Sequence, residues 1–156
     1  MTLLPRFHYR RHGDFTYHVL TGPDVIKSHL LKWMLREWEL DHSEAPEEHW
    51  TVEWMKVLPL MQFKLEVVRL DDIQPHPDLW KAAEFQSELK ERAEDREGSF
   101  LRGVSIEPLL INYTGFQLMD GYTRYVLLKR YNQKDVLAYI GRINAAADGS
   151  MSQKQP

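Results

Sequence analysis

The sequence predicts an α+β domain, a small sheet with flanking helices, preceded by a mostly helical N-terminal extension. The chain has 156 residues, the usual length of one domain, and its 43% hydrophobic residues can bury a core. From residue 62 to residue 143, segments with alternating apolar residues interchange with segments whose apolar residues recur at helical spacing. Residues 1 to 61 differ in composition, because they hold four of the five tryptophans. We therefore place the boundary between extension and main domain at residues 61 and 62.

The extension is predicted to contain one strand and two helices. Residues 14–20 are rich in aromatic and β-branched side chains, which favours a strand that ends at a Gly-Pro turn. The first helix, at 24–40, has apolar residues at helical spacing, and a shorter helix follows through Trp50 and Trp54. We interpret the tryptophans as contacts with the main domain. The alternative is a surface for a homodimer or another protein partner.

The main domain is predicted to alternate strands and helices. Gly98-Ser99 ends its charged helix, and Thr114-Gly115 joins a hairpin. In chain order the predicted elements are a strand at 63–70, a loop with two prolines at 71–77, a helix at 82–97, hairpin strands at 109–113 and 116–119, a helix at 122–131 and a strand at 135–143. Residues 144 to 156 are rich in Ala, Gly, Ser and Gln, and we predict a disordered tail.

The composition excludes several classes of function. Cysteine is absent, which excludes disulfides, thiolate metal sites and thiol catalysis and agrees with a cytoplasmic protein. We expect no signal peptide and no membrane span, because no apolar stretch is long enough. The net charge is −3, so any contact with DNA must come from a local patch. The basic residues between Arg6 and His12 form such a patch, although a solvated strand explains them as well.

The segment from Asp120 to Arg124 is predicted to be a phosphate-binding turn between a strand and a helix. Such a turn directs backbone N–H groups and the positive end of the helix dipole to one point, which attracts anions. Gly121 permits close backbone approach, Thr123 offers a hydroxyl, and Arg124 has donors that match phosphate oxygens. Asp120 either caps the helix or, as a functional group, holds a divalent cation or accepts a proton.

The segment from Phe116 to Tyr131 resembles the strand, turn and helix shared by the ParB/sulfiredoxin superfamily, which includes ParB N-terminal domains, sulfiredoxins and free-serine kinases. Gly121 and Arg124 match the Gly-x-x-Arg pair of these families, and Pro108 is similar to the proline that precedes their hairpin. The resemblance implies a small mixed sheet with flanking helices. It also implies that Gly121, Tyr122, Thr123 and Arg124 bind the phosphates of a nucleotide, ATP or CTP with Mg²⁺.

The resemblance is compatible with more than one activity. Tyr122 stands where sulfiredoxins have their reactive cysteine, which excludes sulfinic acid reduction. The leading hypothesis is a ParB-like nucleotide-binding domain of the kind called ParB-like nuclease; nucleotide hydrolysis, phosphotransfer and action on DNA stay open as its chemistry. The second is a small-molecule kinase that resembles the free-serine kinases, whose motif is Asp-Gly-x-x-Arg. The third is an interaction module that is not an enzyme.

Two further residues, His76 and Asp78, are candidate catalytic groups. They lie in a Pro-His-Pro-Asp sequence that is similar to the loop carrying the catalytic carboxylate of the serine kinases, so the resemblance assigns them acid–base roles beside Asp120. The alternative is a rigid loop without a catalytic role. We predict no metal site formed by protein ligands alone, because the paired histidines His8 and His12 lie in a segment that we expect to be extended.

Overall fold

The computed structural model describes residues 6–44 and 56–143. Over these ranges the chain forms six strands and four α-helices. The strands are β1 (His8–His12), β2 (Phe15–Val19), β3 (Met61–Arg69), β4 (Leu109–Asn112), β5 (Gln117–Asp120) and β6 (Asp135–Ile143), and the helices are α1 (Pro23–Glu44), α2 (Pro77–Lys81), α3 (Ala83–Leu101) and α4 (Tyr122–Arg130). The α+β class predicted from the sequence is confirmed.

The central sheet is mixed and has four strands in the order β3-β6-β4-β5. β6 lies antiparallel to β3 along its full length and parallel to β4, and β4 and β5 form an antiparallel hairpin. Five consecutive residues of β6, from Val136 to Ile140, are buried, because helices and the N-terminal hairpin cover both faces of this inner strand. α4 begins directly after β5, so the predicted turn lies at the end of the edge strand of the sheet.

The N-terminal hairpin of β1 and β2 packs on the main sheet through β2. Phe15, Tyr17 and Val19 alternate inward and are buried, whereas β1 is mostly exposed. The backbone of β2 pairs in parallel with Ile106: His18 N–H donates to the Ile106 carbonyl at 2.9 Å, and Ile106 N–H donates to the Thr16 carbonyl at 2.9 Å. The exposure of β1 agrees with its interpretation as a solvated strand.

Three predictions about the elements need correction. The charged helix does not stop at Gly98-Ser99 but continues to Leu101, because its last turn places Phe100 in a buried aromatic cluster with Phe15 and Tyr131. The predicted loop at 71–77 is followed by a short helix, α2, at Pro77–Lys81, which the sequence did not indicate. The first helix is longer than predicted, since it extends from Pro23 to Glu44.

The role predicted for the tryptophans finds no support at Trp33. Its side chain is exposed, whereas α1 packs on the core through Ile26 and Leu30. The predicted helix through Trp50 and Trp54, the side chain of Trp38 and the predicted tail after residue 143 lie outside the described residues. The division into an extension and a main domain stays a prediction. Within residues 6–44 and 56–143, no helix combines the length and apolar character that membrane crossing requires.

Candidate functional site

The turn between β5 and α4 requires a glycine at position 121. Gly121 has φ of +99° and ψ of 28°, a left-handed conformation that costs other residues free energy. A Cβ atom at this position would lie 2.7 Å from Nη2 of Arg124 and 2.8 Å from Cδ2 of Leu109. The glycine therefore lets the first turn of α4 and the side chain of Arg124 approach the backbone closely.

Arg124 is the most constrained side chain of the turn. Its Nη2 donates to the Pro108 carbonyl at 3.4 Å and lies 3.6 Å from the Asp120 carboxylate. Its Nε is buried and, among the described residues, has no hydrogen-bond partner. A buried donor without a partner costs free energy, and a hydrogen-bond acceptor that reached this atom would remove that cost.

Asp120 is the acidic partner of this arginine. Burial raises the pKa of its carboxyl above the ordinary value, and the nearby charge of Arg124 and the backbone N–H of Gly121 act in the opposite direction. Asp120 is half-buried and is tied to its own turn by these two contacts. The structure thus places it beside Arg124, as the sequence predicted.

Tyr122 and Thr123, the other two predicted phosphate ligands, are both buried. The Tyr122 hydroxyl donates to the Leu118 carbonyl at 2.9 Å and accepts from the backbone N–H of His76 at 3.0 Å. The Tyr122 ring packs against Trp80 and Phe85. Tyr122 therefore joins β5, α2 and α3.

Of the predicted catalytic residues His76 and Asp78, His76 lies beside Tyr122. His76 is the N-cap of α2, where its Nδ1 accepts from the Leu79 N–H at 3.5 Å, and Asp78 is exposed in the first turn of that helix. Neither residue lines the cavity next to Arg124. The structure thus groups Asp120 with Arg124 and His76 with Tyr122, whereas Asp78 is exposed on α2.

The chain segment before β4 brings two further polar side chains, Ser105 and Glu107, to the cavity that Arg124 lines. Because Ile106 pairs with β2 in an extended conformation, Ser105 and Glu107 project to the same side, where His18 of β2 also lies. Nδ1 of His18 lies 3.0 Å from Oγ of Ser105, and Nε2 of His18 lies 3.8 Å from Oε1 of Glu107. His29 of α1 reaches the other carboxylate oxygen of Glu107 at 3.3 Å.

The charges around Glu107 stabilise its ionised form. Burial alone would raise the pKa of the Glu107 carboxyl, but the hydrogen bond from His29 and the positive charge of Arg124 outweigh it, so the pKa is lowered. Burial lowers the pKa of His18 below its ordinary value, although Glu107 acts against this shift. At neutral pH Glu107 is therefore ionised and His18 is uncharged.

These groups surround a cavity of about 400 Å³ between β2, α3 and α4. A cavity of this volume falls within the range of small-ligand sites. Its polar lining combines two arginines, one histidine, three hydroxyls and one carboxylate: Arg96, Arg124, His18, Ser99, Ser105, Thr123 and Glu107. Its chemistry is that of an anion site with a single acidic group.

A larger cleft of about 620 Å³ lies away from this turn, between β1, the start of α1 and the neighbouring strands β3 and β6. Arg10, Lys64 and Arg142 line it above an apolar floor. Arg142 already pairs with Glu66 at 2.5 Å. The cleft has no acid–base group next to a nucleophile among its described lining residues, so we place the candidate site at Arg124.

No group of three or more His, Asp or Glu side chains in the described ranges is arranged to hold a metal ion. The predicted Mg²⁺ does not require such a group, because magnesium at phosphate sites usually takes one or two carboxylates and completes its shell with phosphate oxygens and water. Asp120 beside Arg124 is the carboxylate that fits this role, because the two carboxylate oxygens of Glu107 already face His18 and His29.

Comparison with known proteins gives a limited result. No protein-family model and no curated protein matches the sequence. The chain is similar to a ParB N-domain. Two structures of a pNOB8-like ParB N-domain align with it at 23% and 24% identity, each with a TM-score of 0.41. The alignments cover 59% and 56% of this chain and 34% and 30% of the other chains, so this chain spans about a third of their length.

The sequence analysis missed the residues that the fold adds to the turn. His18, His29 and Arg96 come from three distant elements, and no local pattern connects them to Arg124. Ser105 and Glu107 were detectable in part, because they alternate around Ile106 just before Pro108, the residue that the family resemblance had already singled out. The pairing of this segment with β2 was not visible in the sequence.

Proposed function

We propose that this chain binds a nucleoside triphosphate with Mg²⁺ and holds its phosphate groups at the start of α4. The observation that carries the proposal is the buried Nε of Arg124, a cationic donor without a partner among the described residues, on a side chain that lines a cavity. Phosphate oxygens are the acceptors that best match an arginine donor next to a helix N-terminus.

The remaining lining of the cavity supports the same ligand. Arg96 supplies a second permanent cation, and Thr123 supplies a hydroxyl donor. Asp120, which lies beside Arg124, offers the carboxylate that a magnesium ion would share with phosphate oxygens. The resemblance of the Asp-Gly-x-x-Arg turn to the nucleotide-binding turns of the ParB/sulfiredoxin superfamily points to ATP or CTP as the nucleotide.

The test is calorimetric titration with ATP, CTP, GTP and ADP, each with Mg²⁺. We expect one nucleotide to bind with a dissociation constant in the micromolar range, about −8 kcal/mol. The Arg124→Ala variant should weaken binding at least about tenfold, since it removes charge-assisted hydrogen bonds. Arg92→Ala is the matched control, because Arg92 is exposed on α3 and does not line the cavity.

Thermal unfolding of both variants shows whether the fold persists. Equal binding by the wild type and by a folded Arg124→Ala variant would refute the proposal. So would the absence of binding by all four nucleotides.

A further inference from the structure

Ser105, His18 and Glu107 form a chain of contacts that ends in the cavity. The imidazole of His18 lies between the two other side chains: the Ser105 hydroxyl is 3.0 Å from Nδ1, and the Glu107 carboxylate is 3.8 Å from Nε2. All three residues line the same cavity as Arg124. A hydroxyl, an imidazole and a carboxylate in this order are the parts of an activated nucleophile.

The charge of Glu107 determines which atoms of these three side chains carry the protons. The ionised Glu107 only accepts hydrogen bonds, so it favours the tautomer of His18 that carries its proton on Nε2. Nδ1 then presents a lone pair to the Ser105 hydroxyl, which donates to it. The two ring nitrogens have the reverse of their roles in the serine protease triad, in which the serine faces Nε2.

The position of His18 is fixed by its surroundings. β2 holds its backbone through the bonds to Ile106, and Phe7 packs edge-on against the rings of both His18 and His29, with centroids 5.1 Å and 5.4 Å apart. His29 holds the second oxygen of Glu107 at 3.3 Å. An acceptor fixed beside a hydroxyl in this way is what general base catalysis requires.

We propose that Ser105 is a nucleophile that accepts the γ-phosphoryl group of the nucleoside triphosphate bound at Arg124, with His18 as its general base and Glu107 as the residue that positions His18. The nucleotide in this inference rests on the proposed function. The reactivity of Ser105 rests on the contacts with His18 and Glu107.

The step conserves atoms and electrons. Oγ of Ser105 forms a bond to the γ-phosphorus, and the bond from that phosphorus to the bridging oxygen of the β-phosphate breaks. The nucleoside diphosphate leaves with the electron pair of that bond. The hydroxyl proton of Ser105 moves to Nδ1 of His18. Arg124 offsets the charge on the phosphate oxygens, and a magnesium ion held beside Asp120 would add to this effect, as cations do in other phosphoryl transfers.

The first experiment measures the intact mass of the full chain after incubation with the nucleotide that binds and Mg²⁺. We expect a gain of one phosphoryl group per chain, located at Ser105 by peptide mapping and absent from Ser105→Ala. Ser99 lines the same cavity but accepts from Arg102 at 3.3 Å instead of facing a histidine, so it serves as the internal control and should stay unmodified. His18→Gln should slow the reaction at least about 100-fold.

The second experiment uses a fluorophosphonate, a phosphorus electrophile that needs no nucleotide site. Attack by Ser105 releases fluoride, and His18 takes the proton. Labelling of Ser105 that depends on His18 supports an activated nucleophile. If such labelling occurs but no nucleotide binds, the proposed function alone is overturned. Nucleotide binding without phosphoserine, together with absent fluorophosphonate labelling, would overturn the inference and leave the proposed function intact.

The role of Glu107 as a positioning residue is tested by the pH dependence of fluorophosphonate labelling. Burial, Arg124 and His29 lower the pKa of His18, and Glu107 acts against them. The labelling rate should therefore rise with pH through the lowered pKa of His18, and Glu107→Gln should move this rise to lower pH as well as slow it. A profile that Glu107→Gln leaves unchanged would contradict the positioning role.

Discussion

Arg124 illustrates how one side chain can serve both the fold and a ligand. Its guanidinium is mostly buried, lies 3.6 Å from Asp120 and donates to the Pro108 carbonyl, while its charge also stabilises the ionised form of Glu107. A buried cation needs such counter-charges when no ligand is bound. A phosphate bound to this guanidinium competes with Asp120 for its positive charge, so we expect Asp120 to tune the affinity.

The Asp120→Asn variant separates two roles of this carboxylate. The amide oxygen can still accept from the Gly121 N–H, but the negative charge beside Arg124 is lost. Binding of inorganic triphosphate without metal should therefore tighten at least about threefold, about 0.7 kcal/mol, because Coulomb repulsion is removed. Titration calorimetry in EDTA measures this change.

The same variant tests the predicted metal role when Mg²⁺ is present. If Asp120 is a ligand of the metal, Asp120→Asn binds nucleotide with Mg²⁺ more weakly than the wild type does. If Asp120 only neutralises Arg124, binding tightens in both conditions. Weaker binding of metal-free triphosphate would contradict the competition between Asp120 and phosphate.

Tyr122 was predicted to bind phosphate, but its contacts indicate that its main contribution is to stability. Tyr122→Phe removes the hydroxyl that donates to the Leu118 carbonyl and accepts from the His76 N–H. The unfolding free energy should fall by about 1–3 kcal/mol, since two backbone groups lose a partner. Nucleotide affinity should change less than twofold, about 0.4 kcal/mol. Thermal unfolding and titration of one preparation test both statements, and a large loss of affinity at unchanged stability would restore the ligand role.

At the scale of elements, the junction of β5 and α4 depends on a backbone that only glycine adopts easily. Gly121 combines a left-handed φ with the close approach of Arg124 and Leu109. Gly103, which follows α3, has φ of +81°, but a Cβ added there would meet no atom within 4 Å. Substitutions at these two glycines therefore separate the free-energy cost of the left-handed conformation from that of steric crowding by a Cβ atom.

Gly121→Ala should destabilise the fold more than Gly103→Ala does. Both variants bear the left-handed strain, about 1–2 kcal/mol, and Gly121→Ala also displaces the guanidinium of Arg124 or the Leu109 side chain. Denaturant unfolding gives the two free energies, and nucleotide titration should show weaker binding for Gly121→Ala alone. Equal destabilisation and equal binding would mean that Arg124 moves aside without cost.

At the scale of the whole molecule, the N-terminal hairpin and the central sheet share hydrogen bonds. The Tyr139 hydroxyl of β6 accepts from the Leu20 N–H at 2.9 Å, in a buried position between the two parts of the chain. Burial raises the pKa of Tyr139 to about 12, so this hydroxyl stays protonated at neutral pH. His18 reaches the cavity only because the hairpin packs in this way.

Tyr139→Phe should lower the stability of both parts together. The variant leaves the Leu20 N–H buried without its partner, which costs about 1–3 kcal/mol, or about 2–4 °C in Tm for each kcal/mol in a domain of this size. Calorimetric scans should show one shifted transition for the variant and one for the wild type. A second, earlier transition in the variant would show that the extension unfolds by itself.

Several features follow from the sequence alone because their causes are local. The periods of apolar residues predicted α4 and β6 to within about one residue, and the Asp-Gly sequence followed by a helical pattern located the turn of the candidate site. The end of α3 was misplaced, because the buried aromatic cluster around Phe100 outweighs the helix-stopping tendency of Gly98. Local propensity costs less than about 1 kcal/mol per residue and yields to such packing.

The composition of the candidate site was decided by the tertiary structure. The sequence of residues 120–124 predicted an arginine at the start of a helix, and the absence of cysteine excluded thiol chemistry. The pairing of Ile106 with β2 then brought His18 and Glu107 to that arginine, whereas His76 lies beside Tyr122. Contacts between residues about 90 positions apart depend on how strands and helices pack, and no period or motif in a single sequence records that packing.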